Sequence, residues 1–265
     1  MYKVTSLKPK KKNFLITVED GKNLKDYLVS EELILDFRLV KGKELSESDF
    51  QKFLKAQSKD TIYQKILHFA LFKQRCTHDI IEYFERLGVP EDDFKYYLHK
   101  LYASKVLDDE SYVSNYISES FELKLNGPRK IVFELENKRI RKELYQDIIA
   151  DISNKKILEN ITNLFEKKLH SIKPQSVNKT ILTVKQFLIN KGYEFEDIDL
   201  VINENRTLIE SKSKEDNALD KDFQYALNKY KDEGKKKYEK IYGYLLRKGY
   251  AYHKIKAKMG EYYDE

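Results

Sequence analysis

The chain has no tryptophan, one cysteine, two methionines, four prolines and nine glycines. The lone Cys76 excludes an internal disulfide and any zinc cluster built on cysteines. No apolar run approaches the roughly 20 residues that span a bilayer. Met1-Tyr2-Lys3-Val4 opens without the apolar core of a secretory signal, so a cytoplasmic protein is expected. The five histidines (His68, His78, His99, His170 and His253) form no HExxH pair or close ligand set, and no GxxxxGK[ST] phosphate loop occurs. No Ser-His-acid order stands out. The expectation is therefore no metal, no cofactor and no enzyme. Few breakers with 35% charged and 41% hydrophobic residues fit a helix-rich protein with real cores.

What the chain does have is a phrase repeated four times, anchored on Gly88, Arg139, Gly192 and Gly249. Eight residues before each anchor stand Ile80, Ile131, Val184 and Ile241, and four before stand Phe84, Leu135, Leu188 and Leu245. Val89, Ile140, Tyr193 and Tyr250 follow directly, and ten after come Leu98, Ile149, Ile202 and Met259. Such a period predicts tandem three-helix repeats in an elongated array, curved or straight, that builds an extended surface rather than a pocket. Single units of this size bury little, which is the physical reason for stacking several.

Ahead of the repeats, Lys3–Leu7, Asn13–Glu19 and Asn23–Tyr27 read as strands, with Asp20-Gly21 turning between the last two. Ser30 reads as the N-cap of a helix over Glu31–Phe37, and a short helix is expected over Ser48–Ala56. Residues 1–57 thus form a small α+β domain with a core of Val4, Leu7, Phe14, Ile16, Val18, Leu33 and Ile34. Repeat 1 is expected over 61–107, with helices at Ile62–Gln74, Thr77–Leu87 and from Pro90 to Ala103. Repeats 2, 3 and 4 follow over 108–153, 154–203 and 218–263, with 204–217 as linker or loop. The final Asp264-Glu265 is expected to fray. The fold class is mainly α, preceded by the small α+β domain.

Net charge is +6, but it is segregated. Lys124–Lys142 holds seven Lys or Arg against two Glu, and Lys229–Lys258 holds eleven against three acids, leaving the remainder net acidic. A polyanion surface would need such segregation, although Lys-rich helices also present plain solvated faces. In the first window Arg129, Lys130, Lys138, Arg139, Arg141 and Lys142 are the candidate contacts. Arg129 and Lys130 begin a helix whose N–H groups would add positive potential for an anion, and the Lys138 cluster lies roughly 12 Å further along at 1.5 Å per residue. In the last unit the candidates are Lys235, Lys236, Lys237, Lys240, Arg247, Lys248, Lys254 and Lys256, joined by Lys258. Tyrosines interleave with them, as in single-strand binding surfaces. Tyr244 and Tyr252 are expected to be exposed, whereas Tyr242 and Tyr250 fall at apolar repeat positions.

Leu107-Asp108-Asp109-Glu110-Ser111-Tyr112, then Gly127-Pro128-Arg129-Lys130-Ile131, then Glu134-Leu135-Glu136-Asn137-Lys138-Arg139-Ile140 together resemble the RecX family of regulators of the RecA recombinase. The resemblance covers essentially the whole chain and is closest to the long members of low-GC Gram-positive bacteria. Asn126 stands where the family often has Lys, and Cys76 where it often has a capping Ser, beside Thr77. Arg139 stands where the turn usually has Gly, so a left-handed backbone there would cost about 1 kcal/mol. From the residues themselves, Asp108 and Asp109 serve as N-cap and first-turn acids or as contacts to a basic partner, and Gly127-Pro128 is a boundary device.

The resemblance implies a regulator that binds RecA, as monomer and as filament, together with single-stranded and also double-stranded DNA. It implies lodging in the filament groove and modulating, mostly inhibiting, strand exchange, ATPase and co-protease activity in recombination, repair and the SOS response. A monomer without membrane contact is expected. Two alternatives stay open: a DNA-binding protein acting without obligate recombinase contact, and an adaptor that docks only protein.

Overall fold

A computed structural model describes residues 1–11, 13–21 and 23–263, with the side chain of residue 263 left aside; Asp264-Glu265 lies outside the described residues. The chain is mainly helical with a small sheet at its N-terminus and divides into two compact units, Met1–Tyr112 and Val113–Glu265.

In the first unit, β1 (Tyr2–Lys10), β2 (Asn13–Asp20), β3 (Asn23–Val29) and β4 (Glu44–Leu45) form an antiparallel sheet in the order β3-β2-β1-β4. Gly21, at φ 59°, supplies the left-handed residue that starts the β2–β3 turn. α1 (Glu31–Phe37) starts at Ser30, whose hydroxyl accepts the Leu33 N–H at 3.3 Å, as its sequence predicts. Val4, Ile16, Val18 and Leu33 are buried, with Leu7, Phe14 and Ile34 packed beside them. Phe50 and Phe53, the largest side chains in that core, come from the next helix.

That helix differs from expectation. The separate helices predicted over Ser48–Ala56 and Ile62–Gln74 are one, α2 (Glu47–Phe72). No Gly or Pro interrupts Gln57–Thr61, and the Thr61 hydroxyl donates back to the Gln57 carbonyl at 2.9 Å. The boundary expected between 57 and 61 therefore falls inside a helix. Its N-terminal half buries Phe50 and Phe53 against the sheet, and its C-terminal half buries Tyr63, Ile66 and Ala70 in a second core. α3 (Thr77–Leu87) and α4 (Glu91–Ala103) complete that core with Ile80, Phe84, Tyr97 and Leu101. Pro90 is the N-cap of α4, one position ahead of its first helical residue.

α5 (Asp109–Ser118) crosses the division and runs into a π-helical turn at Glu119–Leu123. Beyond it come α6 (Pro128–Asn137), the short α7 (Gln146–Ala150), α8 (Asn154–Ser171), α9 (Val177–Asn190) and α10 (Phe195–Glu204). Residues 204–217, expected as linker or loop, contain α11 (Arg206–Ser213), and α12 (Glu215–Lys229) starts after Lys214 in the left-handed region at φ 44°. Ile209 anchors α11 in the core of α8, α9 and α10, and the Ser213 hydroxyl donates to Thr180 Oγ1 at 3.1 Å. α13 (Lys237–Arg247) and α14 (Tyr252–Tyr263) pack with α12 around Phe223, Ile241, Leu245 and Met259.

The four anchor residues share one backbone geometry. Gly88, Arg139, Gly192 and Gly249 have φ of 67°, 52°, 90° and 86°. At each, the anchor N–H donates to the carbonyl three residues back and the next N–H to the carbonyl five back, as in Ile140 to Leu135 at 3.1 Å. This is the Schellman closure of a helix C-terminus. The residues eight and four before every anchor are fully buried, and those directly after are at most 8% exposed. Arg139 adopts the left-handed turn despite its side chain.

Candidate functional site

Three helices, α3, α6 and α9, each lead into one of the anchor turns, and their N-termini are closed in related ways. The first four N–H groups of a helix have no partner inside it. In α3, the Thr77 N–H donates to Asp109 Oδ1 at 2.8 Å and its hydroxyl to Asp109 Oδ2 at 2.7 Å. Asp109 is the first residue of α5. In α9, the Val177 N–H donates to Glu215 Oε1 at 3.0 Å, and Glu215 is the first residue of α12. In α6 the same position is Pro128, which has no N–H to cap.

The N-termini of α6 and α9 also meet the C-terminal turn of a later helix. The Gly127 N–H donates to the Lys191 carbonyl at 2.7 Å, and the Arg129 N–H to the Gly192 carbonyl at 3.2 Å. A Cβ on Gly127 would lie 2.3 Å from the Gly192 oxygen, and one on Gly192 would lie 2.4 Å from Lys130 Cβ. Only glycine permits this approach. At the next joint, the buried Ser176 hydroxyl donates to the Lys248 carbonyl at 2.7 Å and the Asn178 amide to the Gly249 carbonyl at 3.1 Å. A Cβ on Gly249 would lie 2.8 Å from Ser176 Oγ. α6, α9 and α13 therefore run end to end, the N-terminus of α6 seated on the C-terminal carbonyls of α9 and that of α9 on those of α13. Opposed helix-dipole ends make these contacts favourable.

This geometry corrects one expectation. The Gly127 and Arg129 N–H groups already serve the Lys191 and Gly192 carbonyls, those of Lys130 and Ile131 serve the Gly127 carbonyl, and Pro128 has none, so the helix end offers an anion only the Arg129 and Lys130 side chains. Arg129 is exposed and pairs with Glu194 at 3.5 Å. Lys130 and Lys138 are half-buried, whereas Arg139, Arg141 and Lys142 are exposed without a carboxylate partner among the described residues.

The last unit also departs from its sequence pattern. Lys248 pairs with Asp222 at 3.0 Å, Lys254 with Glu215 at 2.7 Å and Asp216 at 3.1 Å, and Lys258 with Asp220 at 2.6 Å. Those carboxylate hydrogen bonds raise all three lysine pKa values, led by Asp222, Glu215 and Asp220 respectively. Lys240 is held by Glu233. Lys235, Lys236, Arg247 and Lys256 are exposed and Lys237 is half-buried. Tyr252 is exposed, but Tyr244, also expected to be exposed, is half-buried between Tyr225 and Tyr230. Tyr250 is buried, with its hydroxyl on Asp222 at 2.8 Å, and Tyr242 packs beside the core.

Two further lysines were not singled out by the charge windows. Lys191 precedes the Gly192 turn and donates to the Lys124 carbonyl at 2.9 Å. Partial burial, followed by the positive charge of Lys130, lowers its pKa. Lys179, the third residue of α9, faces Gly249 as Lys130, the third residue of α6, faces Gly192. Their isolation among neutral residues hid them.

No family model matches the chain. A regulatory protein RecX from Geobacillus sp. (strain WCH70) is 28% identical over 248 residues, spanning 93% of this chain and 90% of that protein. One from Enterococcus faecalis (strain ATCC 700802 / V583) is 28% identical over 257 residues, spanning 96% and 94%. A crystal structure of regulatory protein RecX agrees in fold with a TM-score of 0.60 at 21% identity, covering 76% of this chain and 99% of that one. Over nearly its whole length the chain is thus similar to RecX regulatory proteins.

Those relatives are named as regulatory proteins. In this chain the Leu107-Asp108-Asp109 phrase is structural: Leu107 is buried, Asp108 accepts the Ser111 N–H at 3.0 Å, and Asp109 closes α3. Tyr112, Ile131, Leu135 and Ile140 are buried, and Gly127-Pro128 makes the joint to Gly192. Among the described residues no group of three or more His, Cys, Asp or Glu is placed to hold a metal, and no helix is long and apolar enough to cross a membrane.

Proposed function

We propose that this protein binds the RecA recombinase and its single-stranded DNA filament and restrains strand exchange and ATP turnover. The observation that carries this reading is the surplus of exposed cations without a carboxylate partner among the described residues, Arg139, Arg141 and Lys142 after α6 and Lys235, Lys236, Arg247 and Lys256 around α13, on a chain that resembles RecX regulatory proteins and is built from end-to-end helices. On this reading the helical units stack as a tandem, elongated array that lies along the filament groove. The exposed cations meet phosphates or acidic side chains, and Tyr252 adds an exposed ring. Lys240, Lys248 and Lys254, already paired internally, contribute less.

Co-sedimentation with filaments of the cognate recombinase tests this. Binding to filaments that weakens when Arg139, Arg141 and Lys142 are changed together to Glu supports it. Binding to bare DNA that is unaffected by adding recombinase supports instead a DNA-binding protein acting alone. Filament binding indifferent to the charge reversal supports a protein-only adaptor.

A further inference from the structure

The joints between helices gather lysines from separate elements. At the first, glycine contact sets Lys130 directly over Gly192, beside Lys191. Neither lysine has a carboxylate partner among the described residues, and the Lys191 ammonium is steadied by the Lys124 carbonyl, which leaves two of its N–H groups to donate. At the second, Lys179 lies against Gly249 and is exposed without an ion pair among the described residues. Lys248 beside it is neutralised by Asp222.

Each joint lysine has an apolar neighbour. Phe133 follows Lys130 by three residues and Leu182 follows Lys179 by three, a spacing that places each pair on one helix face. Phe133 is 61% exposed and Leu182 66% exposed, on the sixth residue of α6 and of α9. The two joints are separated by α9, about 20 Å at 1.5 Å per residue.

We propose that these two joints form a repeated contact for single-stranded nucleic acid, in which Lys130 with Lys191, and Lys179, meet backbone phosphates while Phe133 and Leu182 cover unstacked bases. This rests on the DNA-contact part of the function proposed above. A lysine beside an exposed apolar side chain fits a single strand better than a duplex, whose bases are stacked out of reach. Like-charged Lys130 and Lys191 repel one another, and a phosphate between them relieves that repulsion, which restores the depressed Lys191 pKa. A purely acidic protein partner would leave Phe133 and Leu182 unused.

The test is fluorescence anisotropy of the full chain with a labelled oligothymidylate across a salt series, without recombinase. Lys179→Gln with Lys191→Gln is expected to weaken binding at least about tenfold and to reduce the slope of log K against log salt by about 1.4, at about 0.7 for each lost phosphate contact. Phe133→Ser with Leu182→Ser is expected to weaken binding with the slope unchanged. Lys155→Gln, on the exposed start of α8, serves as the control for loss of one positive charge, and circular dichroism verifies that each variant folds. Wild-type affinity and slope in the double lysine variant, or preferential binding of the wild type to duplex, overturns the proposal. If that happens while the wild type still restrains RecA, the joint assignment fails and the functional reading stands. If the joints behave as expected but RecA is unaffected, the functional reading fails alone.

Discussion

The Asp109 carboxylate closes the N-terminus of α3 by accepting both the backbone N–H and the hydroxyl of Thr77, at 2.8 and 2.7 Å. The two residues lie 32 positions apart, so the contact joins the start of α5 to the start of α3. Replacing Asp109 by Ala removes a charged acceptor from a helix end. The expected loss is about 1–2 kcal/mol, read as a lower denaturant midpoint with earlier hydrogen exchange in α3. An unchanged midpoint would show that water closes the helix equally well.

Arg139 holds a left-handed turn at φ 52° where the other three anchors are glycine. Arg139→Gly relieves that strain, and about 0.5–1 kcal/mol of added stability is expected after the entropy of the extra glycine is offset. Equilibrium unfolding in urea measures it. A loss of stability would mean that the Arg139 side chain makes a compensating contact.

Gly192 and Gly88 separate backbone strain from close approach. A Cβ at Gly192 collides with the Lys130 backbone, at 2.5 Å from its nitrogen, whereas nothing lies within 4 Å of one at Gly88. Gly192→Ala is expected to cost more than about 2 kcal/mol and to open the α6–α9 joint, while Gly88→Ala costs about 1 kcal/mol from its dihedral alone. Equal costs would mean that the joint yields freely.

Much of this was legible in the sequence. The four anchors, their buried neighbours, the Ser30 cap and the three long strands follow from periods and caps that act within a few residues. The continuity of α2 was less visible because the lower hydrophobicity around Ser58–Asp60 resembles a linker, although no breaker stands there. α11 was hidden by its polar composition, since Ile209 is its single deeply buried apolar anchor. The candidate site was legible as charge but not as availability. Counting along the chain credited Lys248 and Lys254, whose neutralising Asp222, Glu215 and Asp216 precede the basic window. It also passed over Lys191 and Lys179, whose placement at the joints exists only in three dimensions.

Alkaline pH gives a further test. Burial pushes the Tyr97 and Tyr193 hydroxyls up to about 12. Both groups thus stay protonated in the fold while the unfolded chain ionises near pH 10. The unfolded state loses protons first, so stability is intact below about pH 10 and falls as pH rises towards 12. Tyr193→Phe is expected to flatten this fall, at the cost of the hydrogen bond to the Leu125 carbonyl at 3.2 Å. Ultraviolet titration of tyrosinate alongside unfolding midpoints checks both parts. An alkaline limb identical in the variant would assign the fall to other groups.

On the function proposed above, this chain acts on a recombinase rather than by chemistry of its own. The most direct measurement is strand exchange and ATP hydrolysis by the cognate RecA while this protein is titrated from well below one per recombinase subunit to saturation. The account predicts that both activities fall, with the Arg139, Arg141 and Lys142 charge reversal shifting the titration to higher protein. Unchanged strand exchange and ATP hydrolysis at saturation, with no protein bound to filaments, would contradict it.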